Sequence, residues 1–228
     1  MGKVYLVGAG PGAADLLTLR AARLLAQADV VLHDALIGDD VLALAPRAEK
    51  IAVGKRCGAH STSQRFINKR LVDAARRCKV VVRLKGGDPM LFGRAHEEID
   101  ALHAAGINCE VVPGVTAALA AAADAQLSLT RRGVSRSVVF VTPRVGEGEN
   151  PGAWAKAAAA ADTTVLYMGA GDAIGVTTAL AAAGVALTTP VALVESASRP
   201  DCTIQAGILA GLPGLAAARG NGPALIIV

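Results

Sequence analysis

VYLVGAGPGAADLLTL, residues 4–19, begins as an apolar strand, runs into glycines and ends in an apolar repeat of helical period. Gly8, Gly10 and Ala13 satisfy the G-x-G-x-x-[G/A] pattern of a dinucleotide-binding turn, and Asp34 follows the next apolar run, VVLHD. That mechanism needs a helix opening at the glycines, so that its first amides face a pyrophosphate. Here Pro11 and Gly12 interpose a turn, and the helical repeat becomes regular only in LLTLRAARLLAQ, residues 16–27. The loop is too long and too proline-stiff for that role, which leaves a strand–turn–helix unit built around another ligand.

Outward from this unit, β-branched runs alternate with alanine-rich helical repeats, the pattern of parallel strands joined by crossover helices. Strands are expected over 4–7, 30–32, 50–53, 80–84 and 109–112, with helices over 63–77 and 94–105. A second series follows: helix 117–126, strand 138–142, helix 154–161, strand 164–168, helix 172–183, strand 191–194 and a last strand, PALIIV. Between the series, VVPGVTAA carries Pro113 and Gly114, which mark a boundary between an N-terminal domain, 1–113, and a C-terminal domain, 114–228. PRVGEGENPG, residues 143–152, reads as a loop or lid.

The chain of 228 residues is 53% hydrophobic, enough for a large core. Charges or glycines interrupt every apolar run before about 18 residues, so no membrane span is expected. MGKVYLV enters a strand without the regions of a signal peptide, and a cytoplasmic location is expected. The four cysteines, Cys57, Cys78, Cys109 and Cys202, form no C-x-x-C pair and no metal-ligand pattern. A net charge of +4 favours an acidic partner, while 3% aromatic content leaves few stacking platforms for single-stranded nucleic acid. A small polyanion fits that balance.

Four small-residue turns each follow an expected strand: GAGPG, KGGDP, PGVTA and MGAGD. Ligands of open α/β sheets gather beyond the carboxyl ends of strands, where such turns lie. In KGGDPMLFGRAHEEIDALHAAG, residues 85–106, Gly86 and Gly87 allow close backbone approach, and Asp88 before Pro89 has the form of a helix start. Arg94 and Glu97, three apart, share a helical face, where they can bind charged groups or pair with each other.

VYLVGAGPG, GKRCGAHSTSQRFIN, VVRLKGGDP, FGRAHEE, VVPGVTAA, TVLYMG and PALIIV, in this order and spacing, resemble the uroporphyrinogen-III C-methyltransferase branch of the tetrapyrrole methylase family, from end to end of the chain. The resemblance implies two α/β domains of the tetrapyrrole methylase type with the ligand cleft between them, in a homodimer. It implies S-adenosyl-L-methionine as methyl donor, S-adenosyl-L-homocysteine as product, and transfer of two methyl groups to uroporphyrinogen III to give precorrin-2.

Carried over residue by residue, the resemblance assigns the donor to Pro11, Gly86, Gly87, Asp88, Leu91, Thr116, Ala117, Met168, Ala197 and Ala224. Asp34 and Lys55 match positions with proton-transfer roles, and Arg94 and Glu97 match polar groups at the substrate. His33, GRAHEE and AADAQLSLTRR depart from the family pattern, which bears on substrate preference more than on donor binding. A methyl sulfonium is already electrophilic, so the protein has to align a pyrrole carbon, exclude water and supply a base. Lys55, Arg56, Arg131, Arg132 and Arg136 are available to substrate carboxylates. No metal ligands, no nucleic acid and no membrane enter this reading. Its rivals are a methylase of a later corrin intermediate and a nicotinamide-dependent oxidoreductase.

Overall fold

The structure is a computed structural model that describes residues 2–54, 64–146, 150 and 152–228. The chain divides into two compact units, 1–117 and 118–228. Each holds one five-stranded sheet.

In the first unit, β1 (Lys3–Gly8), β2 (Val30–His33), β3 (Glu49–Ala52), β4 (Val80–Lys85) and β5 (Cys109–Val112) form an all-parallel sheet in the order β3-β2-β4-β1-β5. Helices α1 (Leu19–Gln27), α2 (Asp39–Ala43), α3 (Gln64–Arg77) and α4 (Ala95–Ala104) connect the strands. Side chains alternate across a strand, so Val4 and Leu6 pack with Leu71 of α3 and Leu102 of α4, while Val7 packs with Leu25 of α1 and Val41 of α2. A sheet covered on both faces explains why its central strands read as nearly continuous apolar runs, with Arg83 and Lys85 of β4 as the exceptions.

In the second unit, α5 (Ala117–Asp124) opens at the division and leads to β6 (Val138–Val141), α6 (Trp154–Ala160), β7 (Thr163–Tyr167), α7 (Ala173–Ala182), β8 (Pro190–Glu195), β9 (Thr203–Ile208), α8 (Leu212–Ala218) and β10 (Ala224–Ile227). The sheet order is β6-β7-β10-β8-β9. Only β6 and β7 are parallel; β10 runs antiparallel to β7 and β8, and β9 antiparallel to β8. The expectation of parallel strands throughout therefore holds for the first sheet and not for the second. β9 and α8 escape the sequence pattern because TIQAGI is mostly exposed and LPGLAAA carries proline and glycine within a short helix.

Gly114 is three residues short of the division, and two contacts tie it to the first unit. Its N–H donates to Asp88 Oδ2 at 2.9 Å, and a Cβ built on it would collide with the carbonyl oxygen of Gly87. Among the described residues no helix is long and apolar enough to cross a membrane, and no three His, Cys, Asp or Glu side chains cluster as metal ligands.

Candidate active site

Because the first sheet is parallel, the carboxyl ends of β1, β2, β4 and β5 share one edge. Beyond that edge lie Pro11, Asp34, the turn from Gly86 to Asp88, and Thr116. Three of the four small-residue turns meet there, largely through backbone. Gly10 and Gly87 exchange both backbone hydrogen bonds, at 3.3 Å and 2.7 Å. A Cβ on Gly8 would stand 2.6 Å from Gly114 Cα and 2.7 Å from the Gly87 carbonyl oxygen, so no larger residue fits this junction without displacing a strand. Thr116 lies against Gly87, with Thr116 Cα 3.8 Å from where a Gly87 Cβ would be.

Asp88 holds the second turn in shape. Its Oδ1 accepts from the Met90 N–H at 2.8 Å, and its Oδ2 accepts from the Gly114 N–H. The Asp88-Pro89 pair thus starts an Asx-type turn, and α4 begins later, at Ala95. Gly86 is exposed and a Cβ on it would meet open space, whereas Gly87 has φ +65°, a conformation disfavoured for every residue with a side chain. Leu91 is half-buried within the same turn.

Arg94 caps the start of α4 in the left-handed region and forms a bidentate pair with Glu97, at 2.6 Å and 2.9 Å. Both side chains are partly exposed, and the hydrogen bonds from Arg94 hold the Glu97 carboxyl below the usual carboxylate range. Lys55 lies outside the described residues, as do Arg56, Cys57 and His60. Arg131, Arg132 and Arg136 are exposed.

Asp34 follows β2 directly and is anchored twice: its N–H donates to the Leu84 carbonyl at 3.3 Å, and its Oδ1 accepts from Arg83 Nη2 at 2.6 Å. Behind it lies a buried charged cluster that sequence reading missed. Arg83 Nε and Lys85 Nζ each donate to Glu98 Oε1 at 3.1 Å. Burial first, and the Arg83 guanidinium second, push the Lys85 ammonium below its ordinary range, against the pull of Glu98 and Asp34. The signal was present: VVVRLK places two cations in a strand otherwise made of Val and Leu. In a sheet covered on both faces such charges demand partners.

In the second unit, register places Met168, Ser196 and Ala224 at one edge, since Leu225 pairs with Tyr167 and Ala224 with Glu195. Ala197 is buried beside them in sequence, and the Ser196 N–H donates to the Pro223 carbonyl at 2.8 Å. Met168, Ser196 and Ser198 have φ of +57°, +54° and +65°. The described non-glycine residues with positive φ are Phe92, Arg94, Gln126, Met168, Ser196 and Ser198. All but Gln126 lie in turns that carry candidate residues, so backbone strain concentrates where ligand contacts are expected. Asp124 braces the last of these turns, accepting from the Ser198 N–H at 2.6 Å and from Cys202 Sγ at 3.5 Å.

This geometry removes the dinucleotide reading. Helix α1 opens only at Leu19, capped by the Thr18 side chain, so its amides do not face Gly8 or Gly10, and Asp34 is held by arginine.

The fold and its glycine turns are those of an α/β methylase. The sequence profile of the tetrapyrrole (corrin/porphyrin) methylases matches residues 3–213, and the chain belongs to that family. It is 47% identical over its whole length to siroheme synthase 1 of Cronobacter sakazakii and 49% identical to siroheme synthase of Chromobacterium violaceum, covering 48% and 49% of those proteins. The chain thus spans about half the length of the curated relatives it matches. Among solved structures, uroporphyrin-III C-methyl transferase from Thermus thermophilus, complexed with S-adenyl homocysteine, superposes with a TM-score of 0.87 at 41% identity, covering 99% of this chain and 96% of that one. A cobalt precorrin-4 methyltransferase of cobalamin biosynthesis gives 0.86 at 31% identity, covering 99% and 93%.

Proposed function

We propose that the chain is an S-adenosylmethionine-dependent C-methyltransferase that adds two methyl groups to uroporphyrinogen III, giving precorrin-2. The observation that carries this reading is the backbone junction of Gly8, Gly10, Gly87 and Gly114, together with 41% identity to a uroporphyrin-III C-methyl transferase holding S-adenyl homocysteine. The lower identity to the precorrin-4 enzyme supports this substrate over a later corrin.

The residues present fit the donor, because Gly86 leaves open space beside the turn and Gly87 presents backbone where a side chain would stand. By resemblance to the family, the donor falls to Pro11, Gly86, Gly87, Asp88, Leu91, Thr116, Ala117, Met168, Ala197 and Ala224. When bound, the donor supplies an electrophilic methyl group. The backbone turns orient it and keep water from it. Asp34 accepts the proton that the cationic macrocycle must lose after methylation, and Lys55 shares in proton transfer. Arg94 stays protonated and cannot act as a base, so with Glu97 it sets the position of substrate carboxylates. Arg131, Arg132 and Arg136 add positive charge for a polyanion.

The same reading carries a homodimer and a cytoplasmic setting, both by resemblance to the family. Calorimetric titration tests it: S-adenosylhomocysteine should bind with a fitted dissociation constant and nicotinamide nucleotides should give no heat. The reverse result overturns the assignment.

A further inference from the structure

We propose that Arg83 is a positioning residue that aims the carboxylate of Asp34 at the macrocycle carbon that gives up its proton after methylation, with Glu98 and Lys85 fixing Arg83 in turn. This rests on the reading of Asp34 as the proton acceptor.

Arg83 occupies the middle of β4, where its register neighbours are Leu6 on β1 and Leu32 on β2. The side chain is 2% exposed, yet its guanidinium is fully directed. Nε donates to Glu98 Oε1 at 3.1 Å, Nη1 to the Leu84 carbonyl at 3.1 Å, and Nη2 to Asp34 Oδ1 at 2.6 Å. A guanidinium is a rigid planar fork, so fixing two of its nitrogens fixes the direction of the third.

Stability alone would favour a different arrangement. Arginine and a buried glutamate pair best when both carboxylate oxygens face the fork. Here the fork is divided between two carboxylates, and Glu98 Oε2 is left buried with no hydrogen-bond donor among the described residues, although Glu98 itself is fully enclosed. Orphaned buried oxygens are costly and rare. What the division achieves is a short contact to the one member of the cluster that reaches solvent: Asp34 is 30% exposed, against 2%, 5% and 0% for Arg83, Lys85 and Glu98.

Among the described residues, Asp34 Oδ2 accepts no hydrogen bond, so one oxygen is anchored and the other is presented. In the step this serves, the methylated ring carbon is fully substituted and has no proton to give; a C–H bond of the methylene bridge beside that ring breaks and its electron pair enters the macrocycle, cancelling the positive charge left by methylation. The proton forms a bond with Oδ2. Arg83 gains and loses no proton and therefore acts only through Asp34.

The test is a double-mutant cycle of Arg83→Lys and Asp34→Asn, read as kcat, the KM for uroporphyrinogen III and the affinity for S-adenosylhomocysteine. A lysine keeps the charge but cannot reach both carboxylates. Alone it should lower kcat about 10- to 100-fold, as expected for a catalytic group displaced by about 1 Å, with KM and donor affinity within about twofold. In the Asp34→Asn background it should cost nothing further. Equal losses in both backgrounds, or an unchanged kcat in Arg83→Lys, overturn the proposal while leaving Asp34 as the base. Full turnover in Asp34→Asn alone removes the base itself, and the proposal with it. Should Arg83→Lys fail to fold, the isosteric Glu98→Gln is used in the same cycle. A kcat loss of about threefold or more that vanishes in the Asp34→Asn background supports the proposal, and a loss that persists there, or no loss, overturns it.

Discussion

Gly10 and Gly87 exchange both of their backbone hydrogen bonds, joining the turn after β1 to the turn after β4. The pairing lets two loops that are far apart in sequence present backbone as one surface. Neither residue tolerates a side chain for the same reason: φ is +72° at Gly10 and +65° at Gly87. Gly87→Ala and Gly10→Ala should each destabilise the fold by about 1–2 kcal/mol, seen as a lower urea midpoint with unchanged slope.

Gly86 separates ligand contact from folding. A Cβ there meets open space and its backbone is not left-handed, so Gly86→Val should unfold at the midpoint of the parent. Its affinity for S-adenosylhomocysteine should fall at least about tenfold, because the branched side chain enters the volume assigned to the donor. Unchanged donor affinity in titration would move the donor away from this turn.

At the junction behind these turns the prediction is one of sterics alone. Gly8→Ala puts a Cβ 2.6 Å from Gly114 Cα and should cost about 1–3 kcal/mol of stability. Gly214→Ala, within α8 and facing no atom within 4 Å, should instead stabilise by about 0.5–1 kcal/mol. Two denaturation curves decide both.

Cys109 gives a pH dependence. Burial, then the Glu98 and Glu110 carboxylates, push its thiol from 9.0 up to about 11. The folded state therefore holds this proton where the unfolded chain releases it. The contribution to stability is complete below pH 9.0 and is lost as pH rises through about 11. Alkylation of Cys109 in the native protein, followed by peptide mass spectrometry, should stay slow at pH 9 and accelerate only near pH 11. Rapid labelling at pH 8 would contradict the enclosure of this residue.

How far the sequence reached depended on what each element hides. The first sheet was legible strand by strand, since VYLV, VVLH and VVVRL are covered on both faces and leave nearly continuous apolar runs. β9 was not, because a strand whose residues are mostly exposed has no apolar periodicity to read. At the site, the glycines and Asp34 announced themselves by following strands. Asp88 did so for the wrong local reason, since it caps a turn and braces Gly114 while the helix waits until Ala95. Arg83, Lys85 and Glu98 were passed over because charge within a strand and charge within HEE both look like surface until the partners are seen together.

Asp34 and the donor turns make separable contributions. Asp34→Asn should lower turnover by roughly 10²–10⁴-fold while S-adenosylhomocysteine affinity stays near that of the parent, since a positioned base acts on the reaction and not on donor binding. Steady-state rates and titration on the same folded preparation check this. Retained turnover with weakened donor binding would place Asp34 among the donor contacts.

The most direct measurement is the number of methyl groups transferred. Incubated with uroporphyrinogen III and S-adenosylmethionine labelled in the methyl group, the protein should incorporate two labels per macrocycle, both on ring carbons, with S-adenosylhomocysteine formed in equal amount. No transfer to uroporphyrinogen III, with transfer to a later corrin intermediate under the same conditions, would contradict the account.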